Sequence, residues 1–357
     1  MRTALLFGGL CLAVLGAMLA GITWGAVTVP PQTVAGILAR HLGLPIDVAW
    51  PAAQEAIVWQ LRLPRVLAGA LVGAALATSG ALFQGLFRNP MADPYVLGIS
   101  SGAAFGATVA LSVPALALPP ALAPSVFWAG LNSPIHSPLL VPACAFAGAL
   151  GAALLVASLA RRGTRLPVTD LLLAGFAVAA VLGAATTVLL VLNDRLLLRL
   201  RTVFAWMAGG ISVGSWGQIA GVAPLILFGL ALALVLARWL DAFQLGEEGA
   251  ASLGIPVERA KGGVVVVAAL LTAAAVTLSG LIGFVGLLVP HAVRLVAGPS
   301  HSRLLPASAL AGATFLVLAD LLARTLLAPV ELPVGVLTAL VGGPAFLVML
   351  KRSQSRR

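Results

Sequence analysis

From Leu171 to Leu192 the chain carries no charged side chain. About 20 mostly apolar residues, coiled as a helix, cross the hydrocarbon of a bilayer. Comparable runs recur along the 357 residues, with approximate cores at 4–23, 66–86, 95–113, 139–160, 171–192, 218–238, 263–281, 282–297, 304–325 and 334–350. The expected fold is therefore an all-α membrane protein with about ten transmembrane helices. Composition agrees: 61% of residues are hydrophobic and 9% charged, against about 45–50% and about 25% in a soluble domain. The first run, Ala4 to Ile22, is longer than a signal-peptide core and lacks a small-x-small cleavage site, so it reads as the first span. Glycines 280, 283 and 286 and Pro290 interrupt the seventh and eighth runs, and a broken helix at membrane depth needs protein around it to satisfy its backbone.

The formal charge is +10. No basic stretch is interleaved with aromatics, so a nucleic-acid groove is not indicated. The basic residues instead sort by side. With the N-terminus inside, 14 fall in inner segments and 7 in outer ones, which places both termini in the cytoplasm. Outer segment 24–60 holds Pro30, Pro31, Pro45 and Pro51 with Trp24, Trp50 and Trp59, residues suited to a membrane interface. Segment 114–138 has six prolines and no room for a long helix. The inner loop 239–262, divided by Pro256, reads as two short helices outside the bilayer within one transmembrane domain spanning 1–357. A weak repeat at an offset of 200 pairs Leu71, Ser79, Gly80, Pro90 and Gly98 with Leu271, Ser279, Gly280, Pro290 and Gly298, as in transporters built from duplicated halves.

Several chemistries are excluded. A phosphate-binding Walker loop needs Gly-Lys-Ser/Thr, and the only lysines, Lys261 and Lys351, do not follow glycine. If ATP drives this protein, another subunit hydrolyses it. Cys11 and Cys144 lie in apolar runs away from any histidine pair, so neither a disulfide nor a metal site is expected. Ser79 and Ser279 lack the Gly-x-Ser pattern of an intramembrane protease, because Ala77 and Thr277 stand two residues earlier. His291 after Pro290 reads as a helix cap or kink, and Asp93 as a cap on the third helix. Asp320 is the outstanding intramembrane charge. Arg324, one turn on, shields it; the competing reading is an ion-coupled secondary carrier using Asp320.

Specific sequence blocks then appear. Residues 61–103 read LRLPRVLAGALVGAALATSGALFQGLFRNPMADPYVLGISSGA, and residues 280–313 read GLIGFVGLLVPHAVRLVAGPSHSRLLPASALAGA. ADLLAR follows at 319–324 and ELPVGVLTALVGGPAFLVML at 331–350, while WMAGGISVGSW at 206–216 and LGEEGAASLG at 245–254 occupy the middle. In this order the blocks resemble the iron-chelate and cobalamin uptake permeases of ABC importers across essentially the whole chain. The resemblance implies a homodimer of ten-helix subunits in the bacterial inner membrane. It also implies two ATPase subunits below, a periplasmic binding protein above, and a metal chelate as cargo: ferric siderophore first, haem or cobalamin otherwise. It assigns Arg62, Arg65 and Arg324 to binding-protein docking. Leu245, Gly246, Glu247, Glu248, Ser252, Gly254 and Arg259 fall in the loop that contacts the ATPase. Val168 and Thr169 stand where the family has a cytoplasmic gate, although the sequence there is poorer in hydroxyls than the family pattern. No catalytic residue and no cofactor is implied.

Overall fold

The computed structural model describes residues 2–25, 27–45, 50–112, 140–193, 200–211, 213 and 215–354. The proline-rich segment 114–138, with Arg195 and Arg199, lies outside the described residues. The elements are α1 (Arg2–Thr23), α2 (Pro31–His41), α3 (Ala52–Ala56), α4 (Leu63–Leu86), α5 (Ile99–Ser112), α6 (Leu140–Ala160) and α7 (Val168–Leu192). They continue as α8 (Leu200–Met207), α9 (Trp216–Phe243), α10 (Glu247–Ser252), α11 (Val257–Ser279), α12 (Val285–Ala297), α13 (His301–Thr325) and α14 (Val334–Gln354). Among the described residues, eight helices are long and apolar enough to cross a membrane. The shorter apolar helices α5 and α12 fill the two remaining expected places.

Helix α4 is the axis of the fold. Every residue from Val72 to Leu86 is buried, with α11, α12 and α13 packed around it. The peripheral helices show the opposite pattern: they are apolar yet expose apolar side chains, with Phe176 77% and Leu192 78% exposed. In water such faces would drive aggregation, whereas in lipid they are the solvated surface.

Glycine sets how closely the inner helices approach. A Cβ on Gly73 would collide with the Gly312 backbone, one on Gly80 with Gly286, and one on Gly102 with Gly148. Bilayer proteins gain little from the hydrophobic effect between helices, so close van der Waals contact at small residues has to hold them together. The alanine-rich spans are thus spacers that let backbones touch.

The break expected near residue 280 is present, and its backbone is satisfied. Helix α11 stops at Ser279, because Gly280 takes φ 61°, ψ −151°, a conformation essentially confined to glycine. Gly210 N–H donates to the Ser279 carbonyl at 2.8 Å. The Tyr95 hydroxyl donates to the Ile282 carbonyl at 3.2 Å and accepts from the Ile282 N–H at 3.3 Å. Tyr95, the single tyrosine of the chain, is a clasp for the broken strand of backbone. Gln84 Nε2 adds a bond to the Leu287 carbonyl at 3.0 Å.

Three sequence expectations change. Segment 24–60 is not a plain loop: it contains α2 and α3, and α3 runs through a π-helical stretch, Ile57–Arg62, directly into α4. Its tryptophans pack on neighbours, Trp59 stacking on His41 at 3.7 Å and Trp50 lying 4.0 Å under Arg40. Asp93 does cap a helix, but it is the 3₁₀ turn Pro94–Leu97, through a 2.9 Å bond from Tyr95 N–H, and not α5; burial pushes this carboxyl up to about 6. The offset-200 pairs share conformation only in part. Gly98 and Gly298 both have positive φ just before a helix, whereas Gly80 lies inside α4 and Gly280 ends α11.

Candidate functional site

Two polar clusters mark the two ends of the buried axis. α4 separates them by its own length, roughly 36 Å for 24 residues.

At the first end, Arg62, Arg65 and Arg324 come together. Asp320 on α13 is the anion for Arg65 and Arg324 and is 2% exposed. Its carboxylate pairs with Arg65 at 2.9 Å and with Arg324 at 3.0 Å. Arg65 also reaches Glu331 at 2.8 Å. The expected Asp320–Arg324 pair is therefore part of a larger network that a local reading could not contain, since Arg65 is 255 positions from Asp320. Arg324 and Arg62 have a further task. The last carbonyls of α1 have no partners within their helix, and Arg62 donates to Ile22 and Thr23 at 2.9 Å each. Arg62 also bonds the Val27 carbonyl, while Arg324 takes Gly21 at 3.2 Å. A guanidinium with five donors suits a helix C-terminus in its charge as well as its geometry. Both side chains are 6% exposed, so most of their hydrogen-bonding capacity is already used. Arg65 is more open, at 21%, beside Glu331 at 55%. It faces a cleft of about 540 Å³ lined also by Ile57, Leu61, Ile211 and Pro333. The π-helical stretch Ile57–Arg62 leads into this cluster. Its wider turn changes which face of the helix the following residues present.

At the other end stands α10. Leu245, Glu247, Glu248, Ser252, Gly254 and Arg259 are exposed, and Gly246 is half-buried. Leu245 and Leu253 are apolar and still 69% and 61% exposed, a combination found at docking surfaces. The expected second short helix is absent. Residues after Pro256 form the first turns of α11, which rises straight into the core. Val168 and Thr169 open α7, with Thr169 exposed and Val168 half-buried. Val168 and Glu247 share the wall of a cavity of about 110 Å³ with Arg88, Phe243 and Lys261. Helix α9 is joined to α13 nearby: Asp241 accepts from the His301 N–H at 2.6 Å and pairs with its ring at 2.8 Å. Lys261, Glu258, Asp241, Glu331 and Tyr95 were not identifiable as partners from sequence, because each bonds to a residue far along the chain. His291 lies inside α12, one residue after Pro290. No group of three His, Cys, Asp or Glu among the described residues is placed to hold a metal ion.

This arrangement, a cationic cleft at one end and an exposed short helix at the other, sits on a helical bundle whose sequence matches known proteins. The profile of the FecCD transport family covers residues 11–352. The chain belongs to the FecCD transport family. It is 41% identical over 336 residues to the cobalamin import system permease protein BtuC of Halobacterium salinarum, covering 94% of this chain and 81% of that one. It is 42% identical over 320 residues to the hemin transport system permease protein HmuU of Yersinia pestis, covering 88% and 90%. The fold matches a solved metal-chelate-type ABC transporter in an inward-facing conformation, with a TM-score of 0.78 at 27% identity over 98% of this chain and 99% of that one. FecCD proteins are membrane permease subunits of ABC importers, working beside ATPase and binding-protein partners and not themselves enzymes. This chain is a multi-pass member of that class.

Proposed function

We propose that this FecCD permease moves a metal chelate from periplasm to cytoplasm across the bacterial inner membrane. It works as a homodimer with both termini inside. A loaded periplasmic binding protein docks at the arginine end, and two ATPase subunits engage α10 at the other. Reorientation of the spans between ATP-bound and free states carries the cargo through. The observation that supports this most is the pairing of an open, cationic cleft around Arg65 with an exposed α10 ridge at opposite ends of one buried axis. The relatives named for cobalamin and hemin make those two chelates, with ferric siderophore, the cargoes to test first. Docking centres on Arg65, because Arg62 and Arg324 are committed to α1. The secondary-carrier reading is disfavoured: Asp320 is 2% exposed and its carboxylate is already paired with two guanidiniums near the end of α13.

The test is made in proteoliposomes containing the permease, its ATPase and the binding protein loaded with cobalamin, haem or ferric siderophore. ATP hydrolysis should rise with binding protein. Arg65→Lys keeps the charge opposite Asp320 but loses the two-pronged geometry for a carboxylate. It should raise the half-stimulating concentration of binding protein by roughly threefold to tenfold, with unchanged assembly with the ATPase. Uptake driven by a proton gradient without any ATPase would refute the importer reading.

A further inference from the structure

A buried ammonium joins three elements at the α10 end. Lys261 lies just past the first turn of α11 and is 3% exposed. It donates to Glu247 at 2.7 Å, to Glu258 at 3.1 Å and to the Leu166 carbonyl at 3.4 Å. A lysine has three donors and no acceptor, and here each donor has its own target. Glu258 completes the clamp with its other oxygen, which accepts from the Leu166 N–H at 2.5 Å. Both polar backbone groups of Leu166 are thus held by side chains of α11. Leu166 is buried, and the next residue, Pro167, is the N-cap of α7. Glu247 is the first residue of α10.

Such a clamp is a costly way to gain stability. Taking an ammonium out of water costs several kcal/mol, and an apolar side chain of similar volume often serves a core equally well or better. What an ion network adds is direction. It ties particular atoms of α10 and the α6–α7 turn to one point on the rigid α11. The space beside it differs from the rest of the interior. Along α4 the backbones touch at Gly73 and Gly80, but the cavity of about 110 Å³ lies between Val168, Glu247 and Lys261. A displacement of α10 therefore has a rigid connection to the start of α7 and space in which to move it.

We propose that Lys261 is a positioning residue for transport, which converts displacement of α10 into movement of the first turn of α7, where Val168 and Thr169 lie. The proposal rests on the importer reading, in which the ATPase pushes on α10. Its test needs no knowledge of the cargo. In a Cys11→Ala, Cys144→Ala background, Thr169→Cys is labelled with a maleimide in the reconstituted permease–ATPase complex, with and without ATP plus vanadate. With Lys261 present, nucleotide should change the labelling rate on the order of fivefold or more. Lys261→Met should leave ATP hydrolysis intact but remove most of that response, and Lys261→Arg should restore it. A full response in Lys261→Met overturns the proposal while leaving the importer reading standing. Failure of the unsubstituted chain to assemble with any ATPase overturns both. Glu258→Gln keeps an oxygen for the Leu166 N–H while losing the ion pair. It decides the matter if Lys261→Met does not assemble: a weakened response supports the link, and an unchanged one overturns it.

Discussion

Asp320→Ala is expected to destabilise the folded permease by about 3–5 kcal/mol, the usual consequence of removing one partner from a buried ion pair. The carboxylate serves two guanidiniums, at 2.9 and 3.0 Å, and one of these, Arg324, is 6% exposed. Without it, Arg65 keeps Glu331 and Arg324 keeps only backbone carbonyls. Asp320→Asn should fall near the lower end of that range, since its amide oxygen can accept from one arginine but carries no charge. Thermal unfolding in lipid nanodiscs measures the loss. A paired substitution separates structural from transport roles: Arg324→Met combined with Asp320→Asn should recover part of the stability, because the uncompensated charge is gone. Recovery will be incomplete, as Arg324 also caps α1 through Gly21. Uptake per folded molecule should survive Asp320→Asn. A variant that folds as well as the original but transports nothing, with transport in the original following the proton gradient, would return Asp320 to the role of coupling group.

That prediction also shows what a linear reading captures. The spans were legible because lipid imposes a single demand, about 20 apolar residues in a helix, which eight of the helices meet on their own and the shorter α5 and α12 do not. The break at Gly280 was legible for a similar local reason, since closely spaced glycines weaken a helix, although it is confined to 280–284 and both Gly286 and Pro290 lie inside α12. The arginine end was partly legible. Arg62, Arg65 and Arg324 stood out through the family resemblance, and Arg324 by its spacing from Asp320. What stayed hidden was their division of labour. That Arg62 spends its donors on the end of α1, 39 and 40 residues away, while Arg65 bridges Asp320 and Glu331, 255 and 266 residues away, depends on packing between distant segments. Lys261 is the clearest case. In the sequence it was a lysine that could not belong to a Walker loop and one end of the loop resembling an ATPase contact, and its three acceptors come from α10, α11 and the α6–α7 turn. Pro256 misled for a physical reason too. Proline is well tolerated at a helix N-terminus, so it can open a span as readily as separate two surface helices.

The second large effect comes from a residue with no side chain. At Gly80 an added Cβ would fall within the backbone of Gly286, so α4 and α12 must part for any substitution there. Gly80→Ala should cost about 1–3 kcal/mol, as overpacking of a well-filled interior generally does, and Gly80→Val more. The cost is high because α12 cannot simply slide away. Gln84 on α4 is bonded to Leu287, and the Tyr95 clasp holds Ile282 in the break just before α12. Moving α12 outward strains those bonds, which no water is present to replace in the bilayer interior. Gly151 supplies the control: it is exposed on α6 with nothing within 4 Å of an added Cβ, and alanine is the better helix former. Gly151→Ala should leave the melting temperature unchanged or slightly raised, while Gly80→Ala lowers it and Gly80→Val prevents recovery of folded protein. Equal melting temperatures for Gly80→Ala and Gly151→Ala would mean that α12 is free to move relative to α4. The break at Gly280 would then be a hinge and not a fixed joint.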